Sequence, residues 1–181
     1  MKTYIALLRG INVGGQKKIG MADLRQTLEK ASLQNVETYI QSGNVVFKSE
    51  ETDMDFLQKV IHDAILSSFG FDVPTLVTTG ENLKNVLSIN PFLGRAEENK
   101  LYFAFLKKPP VNQLIEEFNK EQFINEEFYI KDTCVFLYCK TGYGKAKLNN
   151  NLIERKLKVE ATTRNLNTIQ KLIAIACKSN N

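Results

Sequence analysis

The segment RGINVGGQKK, residues 9–18, combines residue types that bind anions. Its glycines leave backbone N–H groups uncovered by side chains, and such groups can line an anion-binding concavity. Arg9 precedes them, and a guanidinium can hold a phosphate or carboxylate through two parallel hydrogen bonds. The spacing is neither that of a P-loop nor the GxGxxG of a dinucleotide loop. The sequence predicts an anion-binding loop, and the alternative is a long turn in which the glycines serve only the backbone.

A second polar group lies in the segments TGYGKAKLNN and TTRNLN. Lys147, Thr163, Arg164 and Asn165 belong to it, and a helix that begins beside an arginine is a favourable place for an anion. The alternative is that Asn165 or Asn167 only caps the last helix and that Arg164 is a surface residue.

The other reactive side chains form no catalytic pattern. The single histidine, His62, points away from the apolar stripe of its predicted helix, so we expect it to be exposed without a partner. This position argues against His-dependent acid–base catalysis and against a His-based metal site. Cys134, Cys139 and Cys177 lack CxxC spacing and are expected to be buried small hydrophobes. The sequence predicts no metal site and identifies no catalytic residue or cofactor.

The elements that would position these residues occur in two copies. In the first eighty residues, apolar periodicity and turn residues predict the order βαββαβ, which is typical of a ferredoxin-like unit. The order returns about 90 residues later, with Tyr129 and Ile130 in the place of Tyr39 and Ile40. We therefore predict an α+β protein of two ferredoxin-like βαββαβ subdomains plus a C-terminal helix. The predicted boundaries are 1–80, a connecting helix and loop at 81–99, and 100–181.

Several predicted strands are apolar on both faces, as in YIALL and LYFAFL. Helices cover one face of each sheet, so we expect the other subdomain to cover the second face, with a homodimer as the alternative. Phe47, Phe103 and Phe105 are then core residues. This argues against an RNA-recognition sheet, which needs exposed aromatic side chains for stacking.

This topology brings candidate residues together. The end of the first strand and the turn of the following hairpin meet at one edge of a ferredoxin-like sheet. Residues 9–15, which include Asn12, Gly14 and Gly15, should therefore lie beside Ser42, Gly43 and Asn44. In the second subdomain, the segments that follow the third and fourth strands should be neighbours in the same way. The predicted ligand-binding residues are Arg9, Asn12, Gly14, Gly15, Ser42, Gly43, Asn44, Lys147, Thr163, Arg164 and Asn165.

Composition narrows the class of protein. The chain has 181 residues, 43% of them hydrophobic and 24% charged, as in an ordinary protein with a buried core. No apolar run predicts a membrane span or a signal peptide, and the three cysteines fit a reducing compartment, so we expect a cytoplasmic protein. Residues 140–181 carry nine basic and two acidic side chains, whereas the rest of the chain carries 15 basic and 18 acidic ones. This asymmetry favours polyanions as partners, although solvated surface lysines would give the same pattern.

Several stretches are similar to a known family: LLRGINVGG, MADLR, TYIQSGNVVF, NPF and ATTRNLNTIQKL. Together they resemble the bacterial domain of unknown function number 1697, over nearly the whole chain. The resemblance implies two α+β subdomains of ferredoxin-like character and implies no activity. The chain departs from the family pattern at GYGKAK, where Ser more often precedes the lysine, and at Leu166, where Trp is usual.

These observations leave three functional hypotheses. The first is binding of a small phosphorylated or carboxylated ligand at the glycine-rich loops, with or without catalysis. The second is a nucleic-acid-binding module that uses the basic C-terminal region, and the third is a non-catalytic interaction scaffold. Any catalysis would depend on electrostatic stabilisation by arginine and backbone N–H groups. The sequence leaves open whether the chain is a monomer or a homodimer.

Overall fold

The computed structural model describes residues 1–179. The chain divides into two compact units, which we call unit 1 and unit 2. Unit 1 contains Met1–Asn85 together with the chain from Lys171 on, and unit 2 contains Val86–Gln170.

Unit 1 has the βαββαβ order predicted from the sequence. Its sheet is antiparallel with strand order β2-β3-β1-β4, which is the ferredoxin-like arrangement. A further helix, α3, follows the last strand. The elements are β1 (Lys2–Leu8), α1 (Met21–Lys30), β2 (Gln34–Tyr39), β3 (Asn44–Ser49), α2 (Met54–Phe69), β4 (Thr75–Thr78) and α3 (Gly80–Ser88), whose last three residues are counted with unit 2.

Unit 2 repeats the arrangement with strand order β6-β7-β5-β8, again antiparallel. The last helix, α6, begins directly after the last strand. The elements are β5 (Leu101–Leu106), α4 (Asn112–Phe118), β6 (Glu126–Lys131), β7 (Cys134–Cys139), α5 (Asn150–Leu157), β8 (Ala161–Asn165) and the start of α6 (Leu166–Lys178), which belongs to unit 1 from Lys171 on.

Local sequence signals explain the helix ends. Asp53 caps α2, because its carboxylate accepts hydrogen bonds from the backbone N–H groups of Asp55 and Phe56. Gly70 ends the same helix in the left-handed conformation that glycine adopts without strain. Between these caps, Leu57 and Ile61 lie one turn apart and are buried in the core of unit 1.

The central strands are buried on both faces, as their sequences predict. In β1, Ala6 faces the core formed with the helices, and Ile5 on the opposite face is also fully buried. Phe47, Phe103 and Phe105 are buried, which confirms that they are core residues and not stacking platforms. The expectation that one unit covers the second face of the other stays a prediction.

Two boundaries differ from the sequence prediction. The strand predicted at KVEATT begins later, at Ala161, because Lys158 ends α5 in a left-handed conformation and β8 then pairs with β5 as far as Asn165. The chain from Lys171 on belongs to unit 1, whereas the sequence-based subdomain 100–181 kept it with the second copy. Residues 180–181 of that range lie outside the described residues.

Candidate functional site

The glycine-rich loop, residues 9–20, connects β1 to α1 and contains a tight two-residue turn. Gly14 and Gly15 have φ values of 58° and 75°, and the N–H of Gln16 donates to the carbonyl of Val13 at 3.0 Å. Positive φ at both central residues is the signature of a type I′ turn, which favours glycine. A Cβ added to either glycine would meet no atom within 4 Å. The backbone conformation, and not a close approach of another group, therefore explains both glycines.

Asn12 holds the glycine-rich loop in shape through its side-chain amide. Its Nδ2 donates to the carbonyls of Ile19 and Gln41, each at 3.0 Å, and its Oδ1 accepts from the N–H of Ile19 at 2.9 Å. Asn12 itself has a φ of 54°, a conformation that asparagine tolerates better than most residues. Its amide thus joins the two ends of the loop to the β2–β3 turn.

The predicted neighbourhood of this loop and the β2–β3 turn is confirmed. The N–H of Leu8 donates to the carbonyl of Gly43 at 2.7 Å. Asn44 is fully buried, and its Nδ2 donates to the carbonyl of Tyr39 at 3.0 Å and to Ser42 Oγ at 3.1 Å. Asn44 therefore shapes the turn from inside.

An open depression of about 340 Å³ lies against the glycine-rich loop. The N-cap of α1 is Gly20, which has no side chain to accept from the first helical N–H groups. Such a helix end favours an anion. The Asp23 carboxylate lies at this helix end, since a Cβ on Gly20 would be 2.6 Å from Asp23 Oδ2. The lining residues are Asn12, Gly15, Lys18, Ile19, Gly20 and Gln41.

Of the residues predicted for this site, Asn12 and Gly15 line the depression. Arg9 is half-buried at the end of β1, where its N–H donates to the carbonyl of Pro74 at 3.0 Å, and it is not a lining residue. Its role in binding stays a prediction, as do those of Gly14, Ser42, Gly43 and Asn44. Sequence reasoning did not select Lys18 and Gln41, although Lys18 lies three residues after Gly15 and Gln41 precedes the predicted turn.

In unit 2, the segments TGYGKAKLNN and TTRNLN are neighbours as predicted, and a ring of three hydrogen bonds joins them. The Tyr143 hydroxyl donates to Thr163 Oγ1 at 3.2 Å, and the Thr163 hydroxyl donates to Asn150 Oδ1 at 2.6 Å. The N–H of Asn150 donates back to the Tyr143 oxygen at 3.1 Å. Sequence reasoning missed Tyr143 and Asn150, because the partners of a single tyrosine and of one Asn in a row of three become visible only in the fold.

The other predicted residues of this group do not converge on one point. Arg164 pairs in register with Phe103, whereas Thr163 pairs with Ala104, so their side chains lie on opposite faces of the sheet. Arg164 is buried, and its Nη1 donates to Thr162 Oγ1 and to the Thr163 carbonyl, at 3.0 and 2.9 Å.

Burial lowers the pKa of Arg164 to about 10, although Tyr143 acts in the opposite direction. The alternative of a surface arginine is therefore wrong. Asn165 caps α6, because its Oδ1 accepts from the N–H of Thr168 at 2.8 Å. Lys147 is exposed and lines a different groove, which is described below.

The expectation that His62 is without a partner is wrong. Its ring contacts two carboxylates, with Nε2 at 2.9 Å from Asp72 Oδ1 and Nδ1 at 3.1 Å from Asp63 Oδ1. Hydrogen bonds to Asp72 and then to Asp63 raise the pKa of His62. The pairing of His62 with Asp72 could not be read from the helix alone, because Asp72 lies beyond the end of α2, where its own backbone carbonyl accepts a hydrogen bond from Lys17 Nζ.

The cysteines differ from one another. Cys134 and Cys139 are buried as expected, and burial raises the pKa of both thiols. Cys177 is exposed, so its expected burial is wrong. Cys177 directly follows the buried Ala176 near the end of α6, and successive residues of a helix point in different directions.

Within residues 1–179, no three His, Cys, Asp or Glu side chains form a group that could hold a metal ion. No helix in the same range has both the length and the apolar character needed to cross a membrane.

The two antiparallel sheets with their helices define an α+β protein built from two ferredoxin-like units. Residues 1–136 match the family described as Protein of unknown function (DUF1697), and the chain belongs to that family. A similar fold occurs in the conserved bacterial protein SP0830 from Streptococcus pneumoniae, with a TM-score of 0.75 and 25% sequence identity. That similarity covers 96% of this chain and 98% of the other. A comparison with curated proteins gave no match.

Proposed function

We propose that the protein binds a small phosphorylated or carboxylated ligand at the glycine-rich loop of unit 1. The observation that carries this proposal is the helix end without a side-chain cap that borders the depression together with Lys18. The partial positive charge of a helix N-terminus and a lysine ammonium both attract an anion. Lys18 is exposed and forms no ion pair within residues 1–179, so its charge is available to a ligand.

Preorganisation supports the same proposal. The three hydrogen bonds of the Asn12 side chain fix Ile19 and Gln41, which are both lining residues. A site held in shape before binding loses less conformational entropy when the ligand arrives. The Asp23 carboxylate lies at the helix end and partly neutralises its positive charge in the empty protein. It therefore competes with an incoming anion.

The test is thermal unfolding with and without inorganic phosphate, phosphoglycolate or succinate at millimolar concentration. We expect at least one of these anions to raise the melting temperature of the wild type. Lys18→Gln should reduce that increase, whereas Lys2→Gln, which changes an exposed lysine at the start of β1, should not. Asp23→Asn should lower the stability of the empty protein by about 0.3–1 kcal/mol and still strengthen anion binding. The proposal fails if no anion stabilises the protein, or if Lys18→Gln responds as the wild type does.

Nucleic-acid binding by the basic C-terminal region remains the second candidate. Its support is the exposure of Lys145, Lys147 and Lys158, all within residues 140–181. The burial of Phe47, Phe103 and Phe105 leaves these rings unavailable for base stacking. Binding of a single-stranded RNA should weaken steeply with salt if this candidate is right. An interaction scaffold has no specific observation in its favour.

A further inference from the structure

Unit 2 carries a second depression, which we call the basic groove, with a volume of about 470 Å³. It lies between the segment that follows α4 and the first turns of α5. The volume is within the range of roughly 300–1,000 Å³ found for small-molecule sites. The side chains that determine its chemistry are Glu121, Phe123, Lys147, Leu152, Arg155 and Lys156.

The charges of the basic groove do not cancel. Lys156 forms an ion pair with Glu121, so these two side chains neutralise each other. Lys147 and Arg155 are exposed, and their side chains form no ion pair within the part of the chain that the structure describes. Two positive charges therefore remain at one concave surface.

Nearby carboxylates form no ion pair with these two cations within residues 1–179 and accept from backbone N–H groups instead. Glu126 Oε1 accepts from the backbone N–H of Lys147 at 3.3 Å, and Glu154 Oε1 accepts from the N–H of Ala161 at 2.7 Å. Elsewhere in unit 2, cations such as Lys107 and Lys140 have carboxylate partners at 3.0 and 3.2 Å.

The helix N-terminus beside the basic groove is already satisfied and is not the binding element. Asn149 caps α5 by accepting from the N–H of Leu152 at 3.1 Å, and the Tyr143 oxygen accepts from the N–H of Asn150. An anion in the basic groove must therefore be held by side chains. A guanidinium and an ammonium suit the several oxygens of a phosphate, since the first binds two of them at once and the second acts as a point charge.

The basic groove also offers an apolar surface to the rest of a ligand. Phe123 and Leu152 are half-buried lining residues that pack against the core of unit 2. An edge-on contact with Phe128, at a centroid distance of 6.0 Å, holds the ring of Phe123 in place. A fixed aromatic ring beside cations favours a ligand that joins an aromatic body to an anionic group.

We propose that the basic groove binds an aromatic phosphomonoester, with Arg155 and Lys147 holding the phosphate and Phe123 and Leu152 contacting the ring. A nucleoside monophosphate has this chemistry, whether it is a free metabolite or the phosphorylated end of a nucleic acid. The site is separate from the glycine-rich loop, and the proposal does not depend on the function proposed for that loop.

The experiment follows backbone amide chemical shifts of the full chain during titration with phenyl phosphate, inorganic phosphate and phenol. We expect phenyl phosphate to bind more tightly than either fragment and to shift the amides of residues 147–156. Arg155→Gln and Lys147→Gln should each weaken phenyl phosphate binding about tenfold, the equivalent of about 1.4 kcal/mol. Lys108→Gln is the matched control, because Lys108 is an exposed lysine of unit 2 outside the basic groove, and it should bind as the wild type does.

Two further titrations distinguish a free metabolite from a nucleic-acid end as the ligand, and the basic groove from the glycine-rich loop as the site. Adenosine monophosphate that binds more tightly than a 5′-phosphorylated 12-nucleotide RNA would identify a metabolite, and the reverse would identify a nucleic-acid end. Lys18→Gln should leave binding in the basic groove unchanged, so failure at one site is distinguishable from failure at the other. Equal affinity for phenyl phosphate and inorganic phosphate, or unchanged binding by the Arg155→Gln variant, would overturn the proposal.

Discussion

His62 makes the stability of unit 1 depend on pH. Its pKa is raised in the folded protein by Asp72 and Asp63, above the unfolded value of about 6.5. A raised pKa means that the folded state favours the protonated ring, so the stabilisation is fully present below pH 6.5 and is lost as the pH rises through the folded pKa. Since Asp72 is largely exposed, we expect the His62→Gln variant to lose at most about 1 kcal/mol at pH 5.5, and nearly nothing at pH 8.5.

The measurement is urea unfolding of the wild type and of His62→Gln at both pH values. Asp63 does not reverse the sign, because Lys59 and then His62 lower its pKa, and its contribution changes only in the acidic range below that window. The control must be a surface residue without a structural role. Lys30→Gln, at an exposed position near the end of α1, meets this condition, whereas Gln58→Ala does not, because Gln58 Oε1 accepts from the N–H of Val77. A loss that is as large at pH 8.5 as at pH 5.5 would show that His62 acts by packing and not by charge.

Two substitutions of Asn12 distinguish the contribution of its side-chain hydrogen bonds to stability from the cost of its left-handed backbone conformation. Asn12→Gly removes three side-chain hydrogen bonds and keeps a residue that accepts a φ of 54°, so we expect a loss of about 2 kcal/mol. Asn12→Ala adds the cost of a left-handed conformation, roughly 1 kcal/mol more. Equilibrium unfolding in urea gives both values. If the two variants were equally stable, the cost of the left-handed conformation would be no larger than the entropy that glycine adds to the unfolded chain.

The glycines of two neighbouring turns serve different purposes, and alanine substitution should distinguish them. Gly15→Ala meets open space and pays only for a positive φ, so we expect a loss of about 1 kcal/mol, which Gly15→Asn should largely recover. Gly43→Ala has a φ of 82° and would place its Cβ 2.7 Å from Leu8 Cβ, so it should cost more, and Gly43→Asn should recover nothing. Thermal unfolding of the four variants tests the order, and equal losses for the two alanine variants would contradict it.

The order of helices and strands was predictable because apolar residues recur with clear helical or strand periods, and because the residues that end the elements act locally. Gly70 ends α2, and the turn residues Ser42, Gly43 and Asn44 precede or begin β3, and both signals were readable without the fold. The start of β8 was not, since Lys158 takes a left-handed conformation that its residue type does not announce. The side-chain network of Tyr143, Asn150 and Thr163 depends on contacts between residues up to 20 positions apart.

At the scale of the whole molecule, the duplicated order of elements predicted the fold, but charge did not predict a site. The excess of basic residues in the last quarter of the sequence includes Arg164, which is buried, and Lys156, which is paired. Only the folded chain separates these from Lys147 and Arg155 at the basic groove. Candidate sites therefore depended on knowing which cations are already satisfied, and a linear sequence does not contain that information.

The thiols offer a test of the packing of unit 2 as a whole. Cys134 and Cys139 lie at the two ends of β7, a central strand, and burial raises the pKa of Cys139 to about 12, with a smaller effect of Glu126 in the same direction. Since the thiolate is the reactive form, neither thiol should react in the native protein at pH 8, whereas the exposed Cys177 should. We expect a thiol reagent such as dithionitrobenzoate to label one cysteine per native chain, none in Cys177→Ser, and all three in wild type unfolded by urea. Rapid labelling of the native Cys177→Ser variant would mean that the sheet of unit 2 opens readily, and the burial of β7 would then not describe the protein in solution.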